Sequence, residues 1–256
     1  MLELRNISKS FVTGTDVTTV FADLNLTVNK GQFVSIVGSN GSGKTTLLNL
    51  VSGSLKADNG KIFLYGQDIT RQKEYVRARR IGRVFQDPSK GTANTMTIAE
   101  NMAIAENKGK RYNLTWGLNK KRVDYYRDLL RPMNLGLEDK MNTPVGALSG
   151  GQRQVLTLII STMTPIDLLL LDEHTAALDP KTSEQIMVLT DKIVREKNVT
   201  ALMVTHNLRF AVEYGNRILM FHKGVPVIDK AGEEKASLGV QDLLSTFNEI
   251  SIECGN

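Results

Sequence analysis

The sequence predicts an α/β core with a mostly parallel sheet, preceded by an N-terminal antiparallel β subdomain and interrupted by a helical insertion subdomain. Three stretches carry that expectation. Phe33-Val34-Ser35-Ile36-Val37 is apolar and β-branched, as a buried strand is, and leads through a glycine-rich run into Thr46 to Val51, whose apolar residues fall on a helical face. Leu168-Leu169-Leu170-Leu171 is a continuous apolar run, the pattern of a parallel strand buried on both faces. From Thr97 to about Pro165 the pattern is helical, with Val123, Tyr126, Leu129, Leu130 and Met133 at helix spacing.

In chain order, Leu2, Leu4 and Ile7 form the inward face of a first strand, and Phe11 precedes a polar turn at Gly14-Thr15-Asp16. Val17 to Val20 and Leu24 to Val28 alternate as strands. Asp58-Asn59-Gly60 is a turn before the strand Lys61 to Tyr65, and Ile81 to Gln86 is a short strand that ends in a glutamine. Pro180 opens a helix that runs to Glu196, since proline suits a first helical turn. Thr200 to Val204 is a strand, a helix covers Leu208 to Tyr214, and Arg217 to Phe221 with Val225 to Ile228 make a closing pair of strands. Val240, Leu243, Leu244, Phe247 and Ile250 share one face of a C-terminal helix. The expected organisation is one domain over residues 1–256, containing a helical subdomain at about 87–165 and a C-terminal extension at about 229–256.

Composition bounds the function. Of 256 residues, 41% are hydrophobic and 23% charged, which is the balance of a folded globular chain rather than a disordered one. The net charge of +5 fits a solvated basic surface, and equally an anionic membrane surface or nucleic acid. The same two readings, solvated surface or lipid contact, apply to Lys108-Gly109-Lys110-Arg111 and Lys120-Lys121-Arg122. The single cysteine, Cys254, allows no internal disulfide and no cysteine metal cluster. The N-terminus does not read as a signal peptide, and no apolar run is long enough to span a bilayer, so any work at a membrane needs another chain to supply the span.

The chemistry starts at Gly38, Ser39, Asn40, Gly41, Ser42, Gly43, Lys44 and Thr45, which fit the phosphate-loop pattern G-x-x-x-x-G-K-[ST] in its required strand–loop–helix context. Glycines let backbone N–H groups turn inward on a phosphate, and the helix N-terminus adds partial positive charge. Thr46 continues this site. Lys44 can reach the β- and γ-phosphates, and Thr45 can offer its hydroxyl to Mg²⁺. Asp172 ends an apolar strand on the side where α/β sheets bind ligands, and can hold Mg²⁺ through its water shell. Glu173 can orient or deprotonate the water that attacks the γ-phosphate. Ser149-Gly150-Gly151-Gln152 is a turn opening a helix, a second place for an anion. The chain is therefore expected to bind ATP with Mg²⁺.

Taken in order, the phosphate loop, Gln86, Leu148-Ser149-Gly150-Gly151-Gln152, Asp172-Glu173, Ala177-Leu178-Asp179 and His206 resemble the motifs of ATP-binding-cassette (ABC) ATPases, over nearly the whole chain from Leu2 to about Ile228. The resemblance implies roles. Phe11 stands where an aromatic ring stacks on adenine, with a core position as the bland alternative. Gln86 stands where a glutamine senses Mg²⁺ and the γ-phosphate, and His206 where a histidine contacts that phosphate. Asp179 stands where an aspartate crosses to the opposite subunit. The signature Ser149, Gly150, Gly151 and Gln152 would complete the ATP site of a second subunit, in a head-to-tail homodimer.

The sequence also departs from the family pattern. His174 replaces the usual proline after the glutamate, Leu156 to Ser161 lacks the usual Ala-Arg-Ala run, and Arg153 directly follows Gln152. A single cassette without a span is similar to the separate ATPase subunit of a bacterial transporter. The run from Ser149 to Asp179 resembles uptake ATPases paired with a lipoprotein receptor, some of which handle aromatic amino acids. That implies an integral membrane permease, an extracellular or lipoprotein solute receptor, no nucleic acid partner, and a cytoplasmic position at the inner face of the cell membrane. The segment from Asp87 to Met102 is expected to dock the permease. The alternatives are the ATPase of an exporter or lipid-extraction complex, and a non-transport ABC ATPase of cofactor assembly.

Overall fold

The computed structural model describes residues 1–110 and 119–253. Arg111 and Cys254 lie outside the described residues, as does the side chain of Ile250. The chain divides into two compact units, residues 1–78 with 198–256, and residues 79–197. The second contains the segment expected to be helical, together with the strand of Gln86 and the strand of Asp172.

The first unit opens with a long hairpin, β1 (Leu2–Thr13) and β2 (Asp16–Val28). The two segments read from sequence as separate strands, Val17 to Val20 and Leu24 to Val28, are one strand. It pairs with β1 through register shifts between Leu4 and Ser10, which hide the alternation from a period-2 reading. β3 (Phe33–Gly38) is buried at every position and feeds α1 (Lys44–Ser52). β4 (Asn59–Leu64) and β5 (Gln67–Asp68) complete an antiparallel sheet in the order β2-β1-β4-β5. The short helix α2 (Glu74–Arg77) ends in Arg77, which is 4% exposed. Its guanidinium donates to the carbonyls of Leu50 and Val51 at 2.8 and 3.0 Å and to those of Thr70 and Gln72 at 2.9 and 3.2 Å. The last carbonyls of a helix have no partner inside it. Arg77 supplies one, and a positive charge at that end of the dipole is favourable.

The second unit contains β6 (Ile81–Val84), α3 (Ile98–Glu106), α4 (Val123–Leu130), α5 (Gly150–Thr162), β7 (Leu168–Asp172) and α6 (Pro180–Glu196). β6 and β7 pair in parallel, with Val84 opposite Leu171. Thr97 and Glu100 form a capping box at the start of α3. Buried Asn101 donates to the carbonyls of Ala93, Met96 and Thr97 and accepts from Ala93 N–H, which fixes the loop that follows Gln86. Arg122 pairs with Glu106, which also accepts from the Tyr126 hydroxyl, so this member of the basic segment is turned inward.

The chain then returns to the first unit with β8 (Thr200–Val204), α7 (Leu208–Glu213), β9 (Arg217–His222), β10 (Val225–Ala231), α8 (Glu233–Ala236) and α9 (Val240–Glu253). β3 runs parallel to β8 and β9, while β10 is antiparallel to β9, giving the mixed sheet of an α/β core. Behind it Val37, Ala211, Ile218, Met220, Leu238 and Leu243 form one apolar cluster, with Phe247 of α9 against it. Among the described residues no helix is long and apolar enough to cross a membrane.

Replacing Arg77 with alanine strips four buried or half-buried carbonyls of a charged donor. Urea denaturation should show a loss of roughly 3 kcal/mol; an unchanged midpoint would mean that water replaces the guanidinium without cost.

Candidate active site

In the first unit, the backbone of the Gly38–Gly43 loop folds where side chains cannot go. Gly38 has φ +153, and a Cβ there would lie 2.3 Å from the Phe221 carbonyl oxygen. Gly43, at φ +101, caps α1, and its Cβ would fall 2.7 Å from the Phe21 ring. Both positions admit only glycine. The Lys44 ammonium donates to the carbonyls of Gly38 at 2.8 Å and Ser39 at 2.9 Å, so the side chain lies back along the loop that it follows. Ser42 Oγ is buried without a hydrogen-bond partner, a polar atom in search of a ligand. Ser39, Asn40, Gly41 and Thr45 are exposed and Thr46 is half-buried.

His206 reaches the same edge. Ile36 of β3 pairs with Val204 of β8, so two residues further on Gly38 and His206 leave adjacent strands together. His206 is exposed, and Asn207 behind it caps α7 by accepting from Phe210 N–H. Phe11 is 40% exposed on the hairpin and is no core residue. One face of its ring lies 5.4 Å from Lys9 Nζ, and Lys9 is held in turn by Asp58 at 2.6 Å.

The second unit repeats the arrangement. Two residues beyond the pair Val84–Leu171, Gln86 and Glu173 leave neighbouring parallel strands side by side. Asp172, the last residue of β7, is 7% exposed, and its Oδ2 accepts from Arg83 Nη2 at 3.1 Å. Glu173 has φ +47, a left-handed conformation that costs a non-glycine residue about 1–3 kcal/mol and clusters at functional sites. A proline at 174 would push the residue before it toward extended conformations. Histidine imposes no such restriction, which gives the departure from the family pattern a physical consequence. His174 is 2% exposed and its Nε2 lies 3.1 Å from Thr190 Oγ1. The Thr190 hydroxyl donates to the Ile186 carbonyl, so it accepts from the imidazole N–H and ties the turn after Glu173 to α6.

The signature turn is also built here. Ser149 caps α5, accepting from Gln152 N–H at 3.3 Å while Gln152 Oε1 accepts from Ser149 N–H, a capping box. Gln152 donates onward to the Leu135 carbonyl, and Arg153 to the carbonyls of Gly146 and Leu148, which holds the turn from behind. Gly150 and Gly151 pack against α6 and the turn before it: a Cβ on Gly151 would meet Thr182 Cγ2 at 2.6 Å, and one on Gly150 would lie 3.4 Å from Leu178. The two motifs, some thirty residues apart in sequence, are therefore neighbours. Asp179 caps α6 through an acceptor contact to Thr182 N–H at 3.0 Å, and that bonding holds its carboxyl below the usual range. Sequence reasoning missed Gln154, which donates to the Phe85 carbonyl just before Gln86 and so joins the signature helix to that strand end.

The donors suit a nucleotide with a hard cation. Backbone N–H groups and an ammonium favour phosphate, and a hydroxyl with a carboxylate favours magnesium. Among the described residues no cluster of three or more His, Cys, Asp or Glu could hold a metal; an ion that arrives on phosphate oxygens needs no such cluster.

Residues 21–176 match the ABC transporter family model. The chain belongs to the ABC transporter family. A tyrosine transport ATP-binding protein of Clostridioides difficile is 50% identical over 248 residues, covering 96% of this chain and 98% of that protein. A phosphonates import ATP-binding protein of Alcaligenes faecalis is 33% identical over 90% of this chain and 82% of its own length. Among solved structures, a dimeric ATP-binding cassette in a post-hydrolysis state with ADP and Pi superposes with a TM-score of 0.78 at 28% identity, over 90% of this chain and 98% of that one. As an ABC cassette the chain binds and hydrolyses ATP.

The buried imidazole gives this cassette a measurable pH signature. Burial holds His174 down to about 4, against 6.5 for a free histidine. As pH falls below 6.5 the unfolded chain takes up a proton that the folded chain refuses until about pH 4. Stability therefore drops through that window, by about 2 kcal/mol at pH 5. In urea melts at pH 7 and pH 5, His174→Gln should lose about that much less than wild type. Equal losses would mean that His174 is not buried neutral.

Proposed function

We propose that the chain is the ATPase subunit of an importer for tyrosine or a related aromatic amino acid, acting as a head-to-tail pair beneath a membrane permease. The observation that carries the solute is the 50% identity to the tyrosine transport protein, which runs over 98% of that relative. The phosphonates and methionine relatives match at 33% and 36%.

In this reading the loop from Gly38 to Thr46 holds the phosphates and Lys44 turns its ammonium onto the γ-phosphate. Phe11 stacks on adenine by the ring face that Lys9 leaves open. Thr45, Gln86 and Asp172 would hold Mg²⁺, which supplies charge neutralisation on the phosphates when bound. Glu173 accepts the proton of the attacking water, and His206 donates to the γ-phosphate. Ser149, Gly150, Gly151 and Gln152 bind the phosphates of the partner's nucleotide, with Asp179 beside them. Their support is local: Ser149 and Asp179 each sit at a helix N-terminus, and Gly150 and Gly151 pack against the turn and helix of Asp179.

Glu173→Gln should retain ATP binding and lose turnover by about 10²–10⁴-fold, and ATP should drive this variant into dimers detectable by sedimentation. Lys44→Ala should bind ATP too weakly to dimerise. A Glu173→Gln protein that stays monomeric at saturating ATP would exclude the head-to-tail reading.

The solute and the permease are tested together. In vesicles holding the chain, its permease and a solute receptor, tyrosine should stimulate ATP hydrolysis several-fold and accumulate inside. Crosslinks from residues 87–102 should reach the permease. Stimulation by phosphonate or methionine but not by tyrosine would reassign the solute.

A further inference from the structure

An arginine in the middle of a buried parallel strand requires an explanation, because such strands carry apolar residues and charges are buried only with a partner. Arg83 lies opposite Leu170 in the β6–β7 register, so side-chain alternation puts it on the same face as Asp172. Its Nη2 donates to Asp172 Oδ2 at 3.1 Å, and both side chains are about nine-tenths buried, at 11% and 10% exposure. The guanidinium is fixed from a second side by the Phe85 ring, whose centroid is 4.5 Å away. The strand itself is held by Ser161 Oγ, which donates to the Arg83 carbonyl at 2.9 Å. The cation is thus locked onto the one carboxylate of this unit that the reading above assigns to the metal.

We propose that Arg83 is a positioning residue that sets the divalent-cation affinity of the ATP site by sharing the charge of Asp172. The inference rests on the metal role of Asp172. A carboxylate that already neutralises a guanidinium at low exposure offers less charge to a divalent ion, and a fixed cation beside the site repels that ion directly. The ion is then held mainly through the nucleotide, so it enters and leaves with the phosphates rather than staying on the protein. Arg83 also holds the Asp172 rotamer.

The two effects oppose each other in a way that separates this role from a structural one. Damage to the strand would weaken metal binding, whereas loss of a competing cation tightens it. Manganese binding, read from the EPR signal of the free ion, can be titrated with protein in excess over a non-hydrolysable ATP analogue. Arg83→Gln should bind Mn²⁺ about tenfold more tightly than wild type, the scale of one unit charge removed near a carboxylate, and Arg83→Lys should stay within about threefold of wild type. Unchanged or weaker Mn²⁺ binding in a folded Arg83→Gln protein would overturn the proposal. Asp172→Asn is the companion measurement. If it weakens Mn²⁺ binding while Arg83→Gln changes nothing, only the Arg83 proposal falls; if it too changes nothing, the metal role of Asp172 falls first. Should Arg83→Gln not fold, Arg83→Met repeats the test with the stem retained and the charge removed.

Discussion

The carbonyls of Gly38 and Ser39 hold the Lys44 ammonium at 2.8 and 2.9 Å, and those two bonds require a backbone path that only glycine can follow. The path is set from outside the loop. Phe221 of β9 presses on Gly38 from the neighbouring strand, and Phe21 of β2 presses on Gly43. A loop this tightly bounded has its amide groups oriented before any ligand arrives, so nucleotide binding need not order it. The fully buried β3 behind the loop and the apolar cluster of Val37, Met220 and Leu243 behind β3 keep those walls in place.

A comparable economy of contacts runs through the second unit. Three side chains on one face of α5, Gln154, Thr157 and Ser161, meet the strand and loop that carry Gln86. Gln154 donates to the Phe85 carbonyl, Thr157 packs where a Cβ on Gly91 would sit, and Ser161 donates to the Arg83 carbonyl. Ser149 starts that same helix. A helix stitched at each turn moves as a body with what it is stitched to, so a displacement of the segment after Gln86 reaches the signature serine without loss in a flexible joint.

How much of this was legible depended on whether the signal was local. The phosphate loop, the Asp172-Glu173 strand end and the caps at Ser149 and Asp179 are written in consecutive residues, and the structure forms the strands and helices that the pattern asks for. Arg83 with Asp172, and Arg77 with the end of α1, are contacts across tens of residues between side chains whose types alone specify no partner. In sequence Arg83 looked like one more member of a basic stretch. The hairpin of β1 and β2 was read as fragments because its bulges break the alternation. Phe11 could not be placed in or out of the core by type, since aromatic residues occupy both; its exposure decides the question.

The first unit is discontinuous, built from residues 1–78 and 198–256, whereas the second is one uninterrupted stretch from 79 to 197. Gly224, in the turn between β9 and β10, shows how closely the two halves of the first unit are matched. Its N–H donates to the Ser42 carbonyl, and a Cβ there would lie 1.8 Å from the Val20 carbonyl oxygen. A single genetic crossover between two such cassettes would join a phosphate loop to a foreign hairpin and break that fit. Two crossovers, at the ends of the middle stretch, would exchange the signature helix and the carboxylates as a block and leave the nucleotide cradle intact. The chain's own layout thus favours inheritance of the middle segment as a module, while the flanking segments are held to descend together.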